Sequence, residues 1–494
     1  MGLKAHRPLL KLLKDDSEGT APRRRVAARL LGQLEGAKFV VDALVLALQK
    51  DADAKTRKNA AASLGRLGVA PQILVELLKD EEIGWVRAAI ILALGRQGQE
   101  EALEPLRAHE AQTPEEAQAL ERAIERLEPH QSRVSWQPDR TWPGPVLLEV
   151  PVGLEDVALD EARKAQCVAS RLGKRRPGLL KLGAKAAPSA VWPGLRCVYR
   201  MRLMLTDGPG LLATDPQAPA AVVAWMGTQS GLKELHAWLD APEGVALKYR
   251  FDVRGKGIRR KTRAAWLEAV RTALAPLGLK DSPSSYDFEL VLEPGAKLSR
   301  AWIVPSFAGD ERFAYRHRDV GASIHPVVGA ALARLVFTGP QAEVRDPTCG
   351  SATLLIERAM LGAGALSGSD VSPTAVAASQ TNIAASGQRI TIHRGDAAEP
   401  SSWAMCDEVL ANLPFGLRTA RRDVTLTRLY NRLSTHLGHN LRAKGRALLY
   451  TTARGALDDA LGRNSRLTIQ ERRVVEAGGL EVGLWLVGRS GRRA

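Results

Sequence analysis

Two short strings in the last third of the chain bring together residue types that can hold a charged small molecule and a planar amine. The first, DPTCGSAT from Asp346 to Thr353, follows a short apolar strand candidate (Ala342, Val344) and opens into a helix candidate, LLIERAML. A loop of small residues between a strand and a helix lets backbone N–H groups close on a ligand, and an acid at the strand end can hold a charged or hydroxylated group. The second string, NLPFG from Asn412 to Gly416, follows the strand candidate DEVLA. It combines an amide side chain, a backbone restricted by proline and an aromatic ring, a set that suits a planar base held by its exocyclic amine.

The elements around these strings alternate. From about Ser323, the strand candidates AEVRD, ALSGSD, RITIH, DEVLA and RALLYTTA are separated by helices starting near Leu354, Pro373, Thr425 and Gly455. Two late strands close the chain, around Leu467–Val475 and Val482–Val487. This predicts a doubly wound α/β sheet that finishes in a hairpin.

Upstream, from Leu147, short strands and helices mix: LLEVPVGLEDVALDEA, CVYRMRLML, ALKYRFDVRG, TRAAWLEAVRTALAPLG, YDFELVLEP and SRAWIVP. The order suggests an α+β region of two small sandwiches. Between Lys248 and Arg263 stand eight Lys or Arg against one acid, Asp252. A solvated face is the plain explanation of a charge run. This one straddles a strand end and a turn containing Gly255 and Gly257, and its density favours phosphate contact through Arg250, Arg254, Lys256, Arg259, Arg260, Lys261 and Arg263.

The first hundred residues repeat. Arg24, Arg57 and Arg87 each precede an Ala-rich helical run, and each is followed eight residues later by Gly32, Gly65 or Gly95. Offsets of 33 and 30 residues fit a solenoid of helix pairs. The units VAARLLGQL, NAAASLGRLG and AAIILALGRQG resemble short HEAT-like repeats, with Pro114 to Leu127 as a capping helix. Such a stack leaves an outer surface free for a protein partner or for an extended grip on the ligand of the other domains.

At 494 residues, the chain should hold about three domains. A formal charge of +16 and a pI near 9.9 favour an anionic partner without naming it. Cys167, Cys197, Cys349 and Cys406 have no metal-ligand spacing, so neither a disulfide framework nor a metal centre is expected. Nothing resembles a signal peptide, and no apolar run reaches membrane-spanning length, which predicts a cytoplasmic protein without membrane contact.

Residues 146–494 resemble class I S-adenosylmethionine-dependent RNA methyltransferases that carry a THUMP domain, most closely the tRNA guanine-N2 branch. PVGLEDVALDEA resembles the start of the ferredoxin-like segment before THUMP, and FDVRGKGIRRKTRAAWLEAVRTAL the THUMP core. RHRDVGASIHP is similar to the segment introducing the catalytic domain, and DPTCGSAT, GSDVSP, GDAAE and NLPFG follow in family order. The repeats lie outside this resemblance, and with them the expectation is a multidomain chain: HEAT-like helical repeats (1–128), a linker (129–145), a ferredoxin-like plus THUMP α+β region (146–305), a second linker (306–322) and an α/β Rossmann-like class I methyltransferase domain (323–494).

By the same resemblance, S-adenosyl-L-methionine is the cofactor. Asp346, Cys349, Gly350 and Ser351 surround its methionine part, Asp370 accepts from its ribose hydroxyls, and Asp396 and Ala397 border its adenine. His325 and Pro326 sit beside its amino-acid end. Local packing is an equal alternative for His325, and helix capping is one for Asp370. Ala352 stands where the family usually has a second glycine, a strained choice if that position needs a positive φ.

A guanine N2 amine is a poor nucleophile because its lone pair is delocalised into the ring. Two acceptors aimed at its N–H bonds turn the lone pair towards the methyl group and stabilise the developing positive charge. Asn412 Oδ1 and the Leu413 carbonyl are the natural pair. Pro414 biases Leu413 away from the helical region, and Phe415 can stack on an extruded base. A loop of turn residues alone is the bland alternative. Arg418, Arg421 and Arg422 suit flanking phosphates or a solvated helix start. The expectation is N2-methylguanosine formation in tRNA. Ribosomal RNA guanine, an adenine amine, a glutamine amide and a non-catalytic RNA-binding scaffold are the competing readings.

Overall fold

The computed structural model describes the chain apart from residues 1, 34–37, 98, 128–134, 138–139, 174–176, 184–186, 242–245, 256–257, 284, 307–310, 322, 401–402, 416–421 and 491–494. It divides into two compact units. One comprises Met1–Ser132, Ala246–Arg250 and Leu279–Asp287; the other comprises Arg133–Val245, Phe251–Gly278 and Phe288–Ala494.

In the first unit, helices Ala21–Leu31, Lys38–Lys50, Ala54–Leu67, Pro71–Asp80, Gly84–Gln97 and Pro114–Leu127 follow one another around a core of small and aliphatic side chains. The spaced arginines and glycines have separate jobs. Arg24 forks onto Asp51, Arg57 onto Glu81, and Arg87 onto the fully buried Glu116, each through two guanidinium nitrogens. A methyl group on Gly65 would stand 2.7 Å from Ala93 Cβ, and one on Gly95 2.6 Å from Ala123 Cα. Only glycine lets successive helices approach this closely. Strand Leu247–Val253 also begins in this unit, pairing in parallel with Leu279–Asp281.

In the second unit, strands Ala169–Arg171, Leu179–Leu182, Val146–Glu149, Arg200–Met204, Leu298–Pro305 and Phe288–Glu293 are hydrogen-bonded in that order, each neighbour antiparallel. The two small sandwiches expected from the sequence are therefore joined. Leu298–Pro305 is long enough for Trp302 and Ile303 to pair on one side with Val291 and Leu290, and on the other with Met204 and Leu203. Stretches expected as linkers contribute buried side chains. Trp142 donates to the Met204 carbonyl at 2.8 Å, and the Arg312 guanidinium lies 3.5 Å from the Trp192 ring centre.

The second unit also holds a seven-stranded sheet. Its elements in chain order are α1 (Pro326–Val336), β1 (Glu343–Asp346), α2 (Thr353–Ala359), β2 (Ala365–Asp370), α3 (Pro373–Ser386), β3 (Thr391–Arg394), β4 (Cys406–Asn412), α4 (Arg422–Asn440), β5 (Leu441–Thr451), α5 (Arg454–Gly462), β6 (Leu467–Ala477) and β7 (Leu480–Arg489). The spatial order is β3-β2-β1-β4-β5-β7-β6. The first five strands run parallel, and β7 is antiparallel to both of its neighbours. The order reverses between β1 and β4, so a crevice opens at the carboxyl ends of those two strands. The string Asp346–Thr353 and residues 412–415 of the second string lie there.

Under the crevice, Arg358 and Glu408, each with no side-chain exposure, form a two-pronged ion pair at 2.5 and 3.0 Å. The pair is completed by the Gly339 carbonyl and the Thr338 amide. Three further ties hold the upstream α+β half against this sheet: Arg196 to Glu357, Glu161 to Arg334, and Asp156 to Arg473. Among the described residues, no helix is long and apolar enough to cross a membrane.

Candidate active site

The loop after β1 is built to stay put. Asp346 ends the strand, is 1% exposed, and accepts from the Thr348 amide at 2.9 Å. Burial, reinforced by the nearby charge of Asp370, pushes its carboxyl up to about 8. Burial likewise holds the Cys349 thiol far above its usual range, which keeps it in the thiol form. Asp370, at the end of β2, accepts from Gly350 N at 3.0 Å and from Ser372 N at 2.9 Å. The cap of α3 is Ser372 rather than Asp370, because its side chain is the one that accepts from Ala375 N. Ala352 takes φ 64°, the left-handed conformation its position implied, with its methyl buried beside Tyr315 and Ile356.

A cavity of about 420 Å³ fills the crevice, within the usual size of small-molecule sites. Asp346, Cys349, Gly350, Ser351, Asp370, Asp396 and Ala397 all line it, as do Val320, Ser323 and Ile324 from the segment before α1. A second cavity of about 310 Å³ is lined by Tyr199, His325, Phe415 and Tyr450. Asn412 lines both, as do Ser323 and Ile324. His325, expected at the cofactor's amino-acid end, is thus on the wall of the second cavity, its ring edge-on to Tyr199 at 4.9 Å. Its Nδ1 accepts from Val327 N, the local packing role that the sequence left open. Pro326 is buried in the first turn of α1 and lines neither cavity.

The loop after β4 is pinned carbonyl by carbonyl. The Asn412 carbonyl accepts from Thr348 Oγ1 at 3.3 Å, that of Pro414 from the Tyr430 hydroxyl at 2.7 Å, and that of Phe415 from Thr452 Oγ1 at 3.1 Å. Leu413 N donates to the Tyr450 carbonyl at 2.9 Å. The Leu413 carbonyl accepts no hydrogen bond among the described residues. Leu413 lines the first cavity, Phe415 the second, and Asn412 both.

The basic residues are more dispersed. Arg250 lies over the Tyr286 ring on strand Leu247–Val253, and Arg254 stands 3.8 Å from Glu149. Arg259, Arg260, Lys261 and Arg263 are exposed at the start of helix Arg260–Leu274. Lys256, Gly416, Arg418 and Arg421 lie outside the described residues.

Several residues were missed by sequence reasoning. Asn382, buried on α3, accepts from Arg318 N and donates to the carbonyls of Arg318 and Ser351, tying the segment before α1 to the β1 loop. Ser323 reinforces the tie, its Oγ 3.2 Å from Ser351 Oγ. Tyr199 comes from the α+β half, about two hundred residues away in sequence from Asn412. Its spacing carries no signal. Tyr450 had one in principle, being a polar aromatic directly after the aliphatic run Ala447–Leu449.

Comparison with known proteins identifies two regions of the chain. Residues 314–482 match the family model described as RMKL-like, methyltransferase domain, and residues 41–127 match HEAT repeats. A search among curated protein sequences finds no match. Among solved structures, TrmN from Thermus thermophilus aligns with a TM-score of 0.55 at 22% identity, covering 70% of this chain and 99% of its own. SMU.472, a putative methyltransferase complexed with SAH, aligns with a TM-score of 0.55 at 15% identity, over 71% and 99%. A possible methylase from Clostridium difficile 630 gives 0.54 at 15% identity, over 71% and 99%. At these identities, the alignments establish a shared fold. The chain carries HEAT repeats followed, further along, by a methyltransferase domain whose cofactor is S-adenosyl-L-methionine.

Proposed function

We propose that the protein transfers a methyl group from S-adenosyl-L-methionine to the N2 amine of guanosine in RNA, with tRNA as the leading substrate. The cofactor fits the first cavity on chemical grounds. A buried carboxyl, Asp346, suits its cationic amino-acid end, Asp370 at the end of β2 suits vicinal hydroxyls, and Asp396 with Ala397 suits the base. When bound, it supplies an electrophilic methyl on a sulfonium, so no general base is needed to start transfer.

The acceptor loop carries the reading. Asn412 lines both cavities, and of the four carbonyls from Asn412 to Phe415 only that of Leu413 is left unclaimed by neighbours among the described residues. Two acceptors held there grip an N–H₂ group and fix its lone pair without reorganising. The ring of Phe415 and the volume of the second cavity suit a flipped base. The α+β half, read as ferredoxin-like and THUMP modules, holds the RNA, and the exposed basic start of helix Arg260–Leu274 contacts its phosphates. A cytoplasmic setting goes with this reading.

The test uses labelled S-adenosylmethionine with unfractionated tRNA or ribosomal RNA, followed by digestion to nucleosides. Labelled N2-methylguanosine is expected. Asn412→Ala should lower transfer by about a hundredfold or more while sparing donor affinity, whereas Asp370→Ala should weaken donor binding itself. Labelled N6-methyladenosine would replace guanine as acceptor, and no labelling despite intact donor binding would leave an RNA-binding scaffold. Equal loss of donor affinity in both variants would refute the division of roles.

A further inference from the structure

Tyr450 occupies an unusual place in the acceptor cavity. It lies on β5 in register with Asn412 on β4, and its own carbonyl receives Leu413 N, so its position is locked to the gripping loop. Its ring meets Phe415 edge-on, with centroids 6.2 Å apart, and lines the cavity with Tyr199 and His325. The residue is 2% exposed, and its buried hydroxyl has no hydrogen-bond partner among the described residues. Tyr430, one helix away, shows the usual outcome for such a group: its hydroxyl reaches both the Pro414 carbonyl and Thr451 Oγ1. A buried hydroxyl left without a partner destabilises the free protein, so its retention beside a cavity calls for an explanation, and a ligand contact supplies one.

We propose that the Tyr450 hydroxyl is a specificity-determining hydrogen-bond donor for the acceptor, directed at a ring nitrogen or carbonyl beside the amine held by Asn412 and Leu413. The inference rests on the acceptor reading above. A base amine has a ring nitrogen acceptor beside it, as guanine N2 has N3, whereas a free alkyl amine has none. Burial, with Tyr199 nearby, holds the phenol well above its usual range, so it stays protonated and keeps an O–H to donate. The cavity thereby matches an aromatic amine in both senses: acceptors for its N–H bonds, and a donor for the ring beside them. A site built this way rejects a substrate that leaves its polar group unpaired.

Tyr450→Phe removes the oxygen and nothing else. Compared with the parent protein, the variant should melt at the same or a higher temperature and bind S-adenosylmethionine unchanged. Its kcat/KM for labelled methyl transfer to unfractionated tRNA should fall by about tenfold or more, with a larger share of residual label on nucleosides other than the main product. Activity loss accompanied by a lower melting temperature would indicate a structural role and overturn the proposal, as would an unchanged kcat/KM. Asn412→Ala is assayed alongside. If it abolishes transfer while Tyr450→Phe has no effect, only this inference fails. If Asn412→Ala transfers normally, or the parent protein labels no RNA, the acceptor reading falls and takes this inference with it.

Discussion

Asp346 and Ala352 show how the donor loop balances opposed effects. Asp346 binds its proton up to about pH 8 in the folded protein, whereas an unfolded aspartate releases it near pH 4. Its contribution to stability is therefore complete below pH ~4 and is lost as pH rises through about 8. A cationic ligand beside it favours the ionised form, so binding must expel that proton. Donor affinity should then rise between pH 6 and about 7.5, by up to tenfold per unit, below the point where the donor's own amino group titrates. Calorimetry in buffers of different ionisation heat should show proton release, and Asp346→Asn should flatten the profile. A flat profile in the parent protein would refute this. Ala352 poses a smaller question, since its left-handed backbone costs about 1 kcal/mol relative to glycine. Its buried methyl returns about 0.8 kcal/mol. The two nearly cancel, so alanine here is no sign of a decayed site.

At the level of elements, helix Arg260–Leu274 is built against its own dipole. It has no acid in its first turn, while Arg259, Arg260, Lys261 and Arg263 crowd its positive end. Cations there destabilise a helix by some tenths of a kcal/mol each, and a bound polyanion reverses the sign. Replacing all four by alanine should leave the free protein equal or slightly more stable in denaturant titrations. The same change should weaken RNA binding and reduce the slope of log K against log salt by about three. Weakened binding with an unchanged slope would mean that these residues act through the fold instead. This run was legible because charge density survives any folding. The repeats were legible because Arg24, Arg57 and Arg87 each serve the same ion-pair geometry, and the two crevice loops because strand-loop-helix punctuation is local. The joined sheet was not, since the pairing of Trp302 with Met204 crosses almost a hundred residues and nothing in either strand names its partner. Tyr199, Asn382 and Glu357 were hidden for the same reason: their roles exist only after distant segments meet.

For the whole molecule, the question is which interactions each unit needs. The repeats satisfy themselves, because every spaced arginine finds its carboxylate within the stack, and the last, Arg87, closes on Glu116 of the capping helix. The second unit is held by Arg196 to Glu357, Glu161 to Arg334, Asp156 to Arg473 and the sealed Arg358–Glu408 pair. Breaking a buried pair of that kind by removing one partner typically costs about 3–5 kcal/mol. All of these partners lie beyond residue 132. Ala246–Arg250 and Leu279–Asp287 cluster with the repeats, yet strands Leu247–Val253 and Leu279–Asp281 pair with each other through residues that a shortened chain retains. A protein lacking residues 1–128 should therefore fold and bind S-adenosylmethionine within about twofold of the full chain, a difference well under 1 kcal/mol. Titration calorimetry and thermal melting check this directly. An aggregated product, or donor affinity lost along with the repeats, would mean that the stack supports the catalytic half. Retained affinity would show that the repeats are not needed to hold the donor cavity together.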